Sequence, residues 1–101
     1  MMQSCSVERA VVLFGEKWKF LILRDLMDGK KRFSELKRSI GSISQKVLTQ
    51  NLRSLESNGL LERTVYPVVP PKVEYELTPL GYSLKPVIDA LRAWGEKYAE
   101  V

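Results

Sequence analysis

Residues Ser44 to Arg63 read SQKVLTQNLRSLESNGLLER, and their pattern decides the fold. Taken as a helix, the stretch divides into two faces. Leu48, Leu52 and Leu55 recur at i, i+4 and i+7 as one apolar stripe. At about 100° per residue, Lys46, Thr49, Gln50, Arg53, Ser54 and Ser57 fall opposite that stripe. The polar face carries two cations, amide and hydroxyl groups, and no acid. Ser44 stands where an N-cap belongs, and Asn58-Gly59 supplies the left-handed residue that ends a helix. A short helix of this kind suits a DNA major groove. It repels no phosphate, and Gln, Arg, Lys and Thr can meet base edges there.

Upstream, Ser6 to Phe14 predicts a first helix with Ser6 as N-cap, Val7, Val11 and Phe14 on one face, and Gly15 closing it. Lys17 to Met27 predicts a second, with Trp18, Leu21, Ile22 and Leu26 inward and Asp28-Gly29 at its end. Lys31-Arg32-Phe33 reads as a short extended link. Ser34 then caps a brief third helix bearing Leu36 and Ile40, and Gly41-Ser42-Ile43 turns the chain into the helix above. Residues 18–58 thus form a helix-turn-helix region.

Downstream the period changes. Leu60 to Tyr66 is β-branched and aromatic enough for a strand. Lys72 to Leu77 alternates, with Val73, Tyr75 and Leu77 on one face and Lys72, Glu74 and Glu76 on the other, which reads as an exposed edge. Pro67-Val68-Val69-Pro70-Pro71 cannot continue a ladder and forms the hairpin tip. The expected fold is α+β, mostly α: a winged helix-turn-helix whose wing spans 60–77, in one domain covering 1–101.

Thr78-Pro79 opens a last helical segment, 79–98, with an N-cap and a proline at the first helical position. Leu84, Val87, Leu91, Trp94 and Tyr98 step along it in a coiled-coil seam, and Pro86 predicts a kink or break near Lys85. The seam either covers the domain's own core or faces a second copy. The apolar residues of segment 6–14 also need a partner, which favours a homodimer held by these two segments, with Val7, Val11, Leu91, Trp94 and Tyr98 at its interface.

Composition narrows the function. The 101 residues are 45% hydrophobic and 28% charged, with 16 basic and 12 acidic side chains and a net charge of +4. Bases crowd the first 53 residues and acids the last third, so one end suits a polyanion. There is no histidine and a single cysteine, Cys5, which argues against zinc sites and Ser-His-Asp or Cys-His catalysis. No glycine-rich phosphate loop is present. The chain is therefore expected not to be an enzyme and to need no metal or cofactor. No apolar run approaches the roughly 20 residues that cross a bilayer, and no secretion signal opens the chain, so a cytoplasmic protein without membrane contact is expected.

Specific motifs add to this reading. Gly15-Glu16-Lys17-Trp18, Arg32-Phe33-Ser34-Glu35-Leu36 and Ser44 through Arg53 are followed by Asn58-Gly59-Leu60, Tyr66-Pro67, Pro70-Pro71-Lys72-Val73-Glu74-Tyr75 and Leu77-Thr78. In this order and spacing the chain resembles the HxlR-type branch of winged-helix transcriptional regulators, close kin of the MarR group. The resemblance runs from Cys5 to Gly95. It implies a homodimeric, cytoplasmic DNA-binding regulator that pairs through its first and last helices and presents two winged heads to a pseudo-palindromic operator. Family members with a cysteine at the place of Cys5 often sense oxidants or electrophiles, by alkylation or an intersubunit disulfide. Where the family commonly has a proline after that cysteine, this chain has Ser6, and its Gly15-Glu16 replaces the usual Gly-Gly.

The residues expected to meet double-stranded DNA are Gln50 and Arg53 as base readers, with Thr49 and Gln45 on the same helix. Ser44 and Lys46 at the helix start, Arg32 in the basic run Lys30-Lys31-Arg32, and Lys72 on the wing are expected at phosphates. Cys5 precedes a helix N-terminus, where unpaired N–H groups favour a thiolate. The rival reading is a winged-helix module that binds protein in a transcription-related complex. An acidic or apolar outward face on the helix would have favoured it.

Overall fold

The computed structural model describes residues 6–14 and 16–99. Six helices and three strands follow in the order α1 (Ser6–Phe14), α2 (Lys17–Leu26), β1 (Lys31–Arg32), α3 (Phe33–Ile40), α4 (Gln45–Ser57), β2 (Leu61–Tyr66), β3 (Lys72–Leu77), α5 (Pro79–Tyr82) and α6 (Lys85–Tyr98). The strands make one antiparallel sheet in the order β1-β3-β2. The architecture is the winged helix-turn-helix that the sequence predicts.

The core gathers on one side of α4. Leu48, Leu52 and Leu55 are buried against Ile22, Leu23 and Leu26 of α2, Leu36 of α3, and Ile43 of the turn. Leu60, Leu61, Tyr75 and Leu77 close the layer from the sheet side, and α6 adds Ile88. Fully burying each aliphatic side chain contributes about 1.5–3 kcal/mol, so this layer fixes how α4 sits. Its start is fixed locally as well. The Ser44 hydroxyl accepts the Val47 N–H at 3.1 Å, as the sequence predicts for an N-cap. At its far end Gly59 takes a φ of +77°, which a side chain would resist.

The structure departs from the sequence reading in four places. Lys31 and Arg32 are a strand, not a link: they pair with Tyr75 and Glu74 of β3. Arg32 rather than Ser34 therefore caps α3, its N–H donating to the Glu35 carboxylate at 2.8 Å. β3 is in consequence the central strand, so Glu74 is not on an exposed edge. Its side chain is 15% exposed, between Lys30 and Lys72. Finally, Ser6 lies within α1 rather than before it, and its hydroxyl accepts from the Arg9 guanidinium at 3.4 Å.

The C-terminal segment breaks where Pro86 predicts. α5 ends at Tyr82, and α6 begins at Lys85 with the proline in its first turn. Thr78 ties this segment to the end of α4. Its N–H donates to the Leu60 carbonyl at 3.1 Å and its hydroxyl donates to the Gly59 carbonyl at 2.6 Å. The same hydroxyl oxygen accepts the Gly81 N–H at 3.1 Å, capping α5.

Candidate nucleic-acid interface

With its leucine stripe buried, α4 presents Gln45, Lys46, Gln50 and Arg53 to solvent. Neither Lys46 nor Arg53 is engaged in an ion pair among the described residues, so both charges are available to an incoming polyanion. Two α4 residues behave differently from a simple surface reading. Thr49 is half-buried and its hydroxyl donates to the Gln45 carbonyl at 2.9 Å, which leaves its oxygen and methyl for an outside group. Asn51 is buried, its amide donating to the Val47 carbonyl at 2.8 Å.

Shallow clefts flank the exposed face. One, lined by Glu16, Lys19, Gln50, Asn51 and Ser54, lies toward α2. The other, of about 260 Å³, lies toward the sheet and is lined by Thr49, Leu52, Arg53, Glu56, Arg63 and Tyr75. The sequence reading missed Arg63, because a lone cation on a strand carries no signal of the helix it will face.

Behind the sheet the basic residues are tethered. Lys30 approaches one Glu74 carboxylate oxygen at 3.9 Å and Lys72 approaches the other at 3.7 Å. Lys72 also stands over the Tyr66 ring, 4.7 Å from its centroid, and Arg32 sits opposite Glu74 across the β1–β3 ladder. Hydrogen bonding from Tyr66, helped by Lys72, Lys30 and Arg32, holds the Glu74 carboxyl below its usual range against the opposing effect of desolvation. The same contact with Glu74 raises the Tyr66 hydroxyl. Lys72, expected at phosphates, therefore shares the Glu74 carboxylate with Lys30 in the free protein, while Arg32, also expected there, faces it across the ladder. At the tip of the wing Val68 and Val69 are exposed, the latter fully.

The residues expected at a dimer interface all lie on the surface of the single chain. Trp94 and Tyr98 are each 60% exposed and lean on one another with centroids 5.6 Å apart and ring planes tilted by 42°. Val87 and Leu91 precede them on the same seam, and Val7, Val11 and Val12 stand out from α1. α6 meets the core through Ile88, and Leu84 just before it packs there too. Of the seam, Leu84 packs on the chain's own core, while Val87, Leu91, Trp94 and Tyr98 stay exposed. Cys5 lies outside the described residues. No helix among the described residues is long and apolar enough to cross a membrane.

This geometry has close counterparts. The model of a family described as HxlR-like helix-turn-helix matches residues 13–101. An uncharacterized HTH-type transcriptional regulator of Methanothermobacter thermautotrophicus is 57% identical over 94 residues, which make up 93% of this chain and 72% of the relative. The redox regulator HypR in its oxidized form superposes with a TM-score of 0.91 at 45% identity, covering 96% of this chain and all of the matched one. The reduced form of the transcriptional regulator YodB from B. subtilis follows at a TM-score of 0.82 and 42% identity, covering 98% and 97%. An exposed helix face of Gln45, Lys46, Gln50 and Arg53 set out from a winged core, in a chain this similar to transcriptional regulators, makes the protein a DNA-binding transcriptional regulator of the HxlR-like helix-turn-helix family.

Proposed function

We propose that the protein works as a homodimer on a pseudo-palindromic operator, with α4 of each copy in the major groove. The observation that carries this reading is the apolar seam of Val87, Leu91, Trp94 and Tyr98, left exposed on a chain whose core is complete without it. Contiguous apolar surface of that kind marks an interface, and a two-fold protein matches a two-fold operator. Gln50 and Arg53 read base edges, Thr49 contacts them through its methyl and oxygen, and Gln45, Lys46 and Ser44 set the helix start on the backbone. Lys72 reaches a phosphate once this displaces Glu74, and Arg32 meets one beside it.

The second part of the proposal is a thiol switch at Cys5. Its support is the likeness to HypR, a redox regulator, and the position of Cys5 directly before α1. Each chain has a single cysteine, so a disulfide joins two copies. The two thiols lose two protons and two electrons, and an oxidant such as diamide takes up both to become the hydrazine. A covalent link at the N-terminal helices alters the separation of the two α4 helices, on which operator fit depends.

The test is binding to genomic fragments that include the protein's own promoter, in a salt series, with reduced and diamide-treated protein. Operator binding is expected to be steeply salt-dependent, and Gln50→Ala or Arg53→Ala to cost about 1–3 kcal/mol each while relaxing selectivity. Diamide is expected to release or remodel the complex in the parent and not in Cys5→Ser. Specific binding with equal diamide response in both proteins removes the switch. Weak, unselective binding throughout favours the protein-interaction module instead.

A further inference from the structure

The cleft between α4 and the wing gathers polar groups that the core does not use. Arg53 comes from the recognition helix and Arg63 from β2, where it lies directly across the ladder from Tyr75. Neither guanidinium has an ion-pair partner among the described residues, in contrast to Arg24, Lys30, Lys72 and Lys85. Tyr75 is only 8% exposed, lines this cleft, and has no hydrogen-bond partner for its hydroxyl among the described residues. Its hydroxyl oxygen opens to solvent at the cleft, where it is free to donate to a group bound there. Thr49 adds an oxygen to the same wall, and Glu56 is the single acid on it, too far from either arginine to pair.

We propose that this cleft is a phosphate site, in which Arg63 and the Tyr75 hydroxyl hold one backbone phosphodiester of bound DNA and Arg53 adds an N–H to it from the edge of its guanidinium not turned to the bases. The inference rests on the DNA-binding function and adds Arg63 and Tyr75 to it. Guanidinium groups hold tetrahedral oxyanions in fork geometry, and two of them from different elements fix the anion's position relative to both. A strand of backbone leaving the major groove beside α4 crosses to the wing over this cleft. The phosphate thereby locks the angle between recognition helix and wing, which neither element sets alone. Glu56 limits the net charge of the lining to +1 and keeps the site from trapping any passing anion.

A backbone contact is indifferent to sequence, so an unrelated duplex of about 25 base pairs serves as the probe. Arg63→Gln is expected to lower affinity for it about five- to tenfold near 50 mM salt and to reduce the slope of log K against log salt by about 0.9 per protomer. Tyr75→Phe keeps the ring and is expected to weaken binding severalfold at an unchanged melting temperature. Glu56→Gln, on the same wall, is expected to tighten binding. A merely structural role for the cleft predicts the opposite pattern: all three variants lose melting temperature and affinity together, and the salt slope stays put. An Arg63→Gln protein that keeps the parental slope and affinity overturns the proposal while leaving the regulator intact. If the parent shows no salt-dependent binding at all, it is the DNA-binding reading that fails. Calorimetry with inorganic phosphate separates the remaining source. Arg63-dependent binding of free phosphate without any effect of Arg63→Gln on DNA makes this a small-anion site, and the phosphodiester assignment is then wrong.

Discussion

Replacing Trp94 with aspartate is expected to give a folded monomer that no longer grips the proposed two-fold operator. The indole is largely exposed on the single chain and touches mainly Tyr98, so the change removes little that holds the protomer together. Between two copies the same position becomes a carboxylate that must be stripped of water against an apolar seam, a cost that nothing on the seam offsets. Losing an aromatic anchor at the centre of an interface costs about 2–4 kcal/mol or more, which is roughly 30- to 1,000-fold in the dimer dissociation constant. Losing the second head also forfeits the effective concentration it provides, so operator affinity is expected to fall by about 10²-fold or more. Sedimentation and an operator titration, run beside a circular-dichroism melt, check this. A Trp94→Asp protein that sediments as a dimer places the interface elsewhere and removes the role proposed for the seam.

Gly81→Ala is expected to be strongly destabilising, since among the described glycines only Gly81 leaves no room for a methyl. A Cβ built on Gly81 comes within van der Waals overlap of the Leu60 carbonyl oxygen, at 2.1 Å, and 3.1 Å from the Leu77 side chain. The carbonyl it strikes is the one that accepts the Thr78 N–H, and it is backbone, so no side chain can swing aside to relieve the contact. Overpacking of this kind costs about 1–3 kcal/mol, and rather more where a backbone must move. For a domain of this size each kcal/mol is worth about 4–8 °C, so a drop of about 10 °C or more in melting temperature is expected. A melt within two or three degrees of the parent would show that α5 relaxes away from Leu60 without penalty.

What was legible in the sequence was local. The ends of α4 were written in Ser44 and Gly59, the break before α6 in Pro86, the hairpin in the proline cluster, and the outward face of the recognition helix in the spacing of three leucines. What escaped was decided by partners far away in the chain. Two residues, Lys31 and Arg32, are too few to show an alternation, so the third strand was invisible and with it the central place of β3 and the burial of Glu74. Arg63 was one cation on a strand until the register with Tyr75 and the packing of α4 gave it a cleft to line. The seam on the last helix showed its period in the sequence but not its direction. Only the placing of Ile88 inward separates the residues that serve this chain from those that await another surface.

The Thr78 contacts have a mechanical consequence. Through them the end of α4 and the root of the C-terminal segment share one joint, and the bonds from Leu84 N–H to the Gly81 carbonyl and from Ile88 N–H to the Leu84 carbonyl carry stiffness on through the turn into α6. α6 is thus joined to the end of α4 by a short run of hydrogen bonds, like a crank to its shaft. A displacement of its outer face is expected to reach the end of α4 through these bonds. A regulator made this way needs no dedicated hinge to feel what is done to its far end.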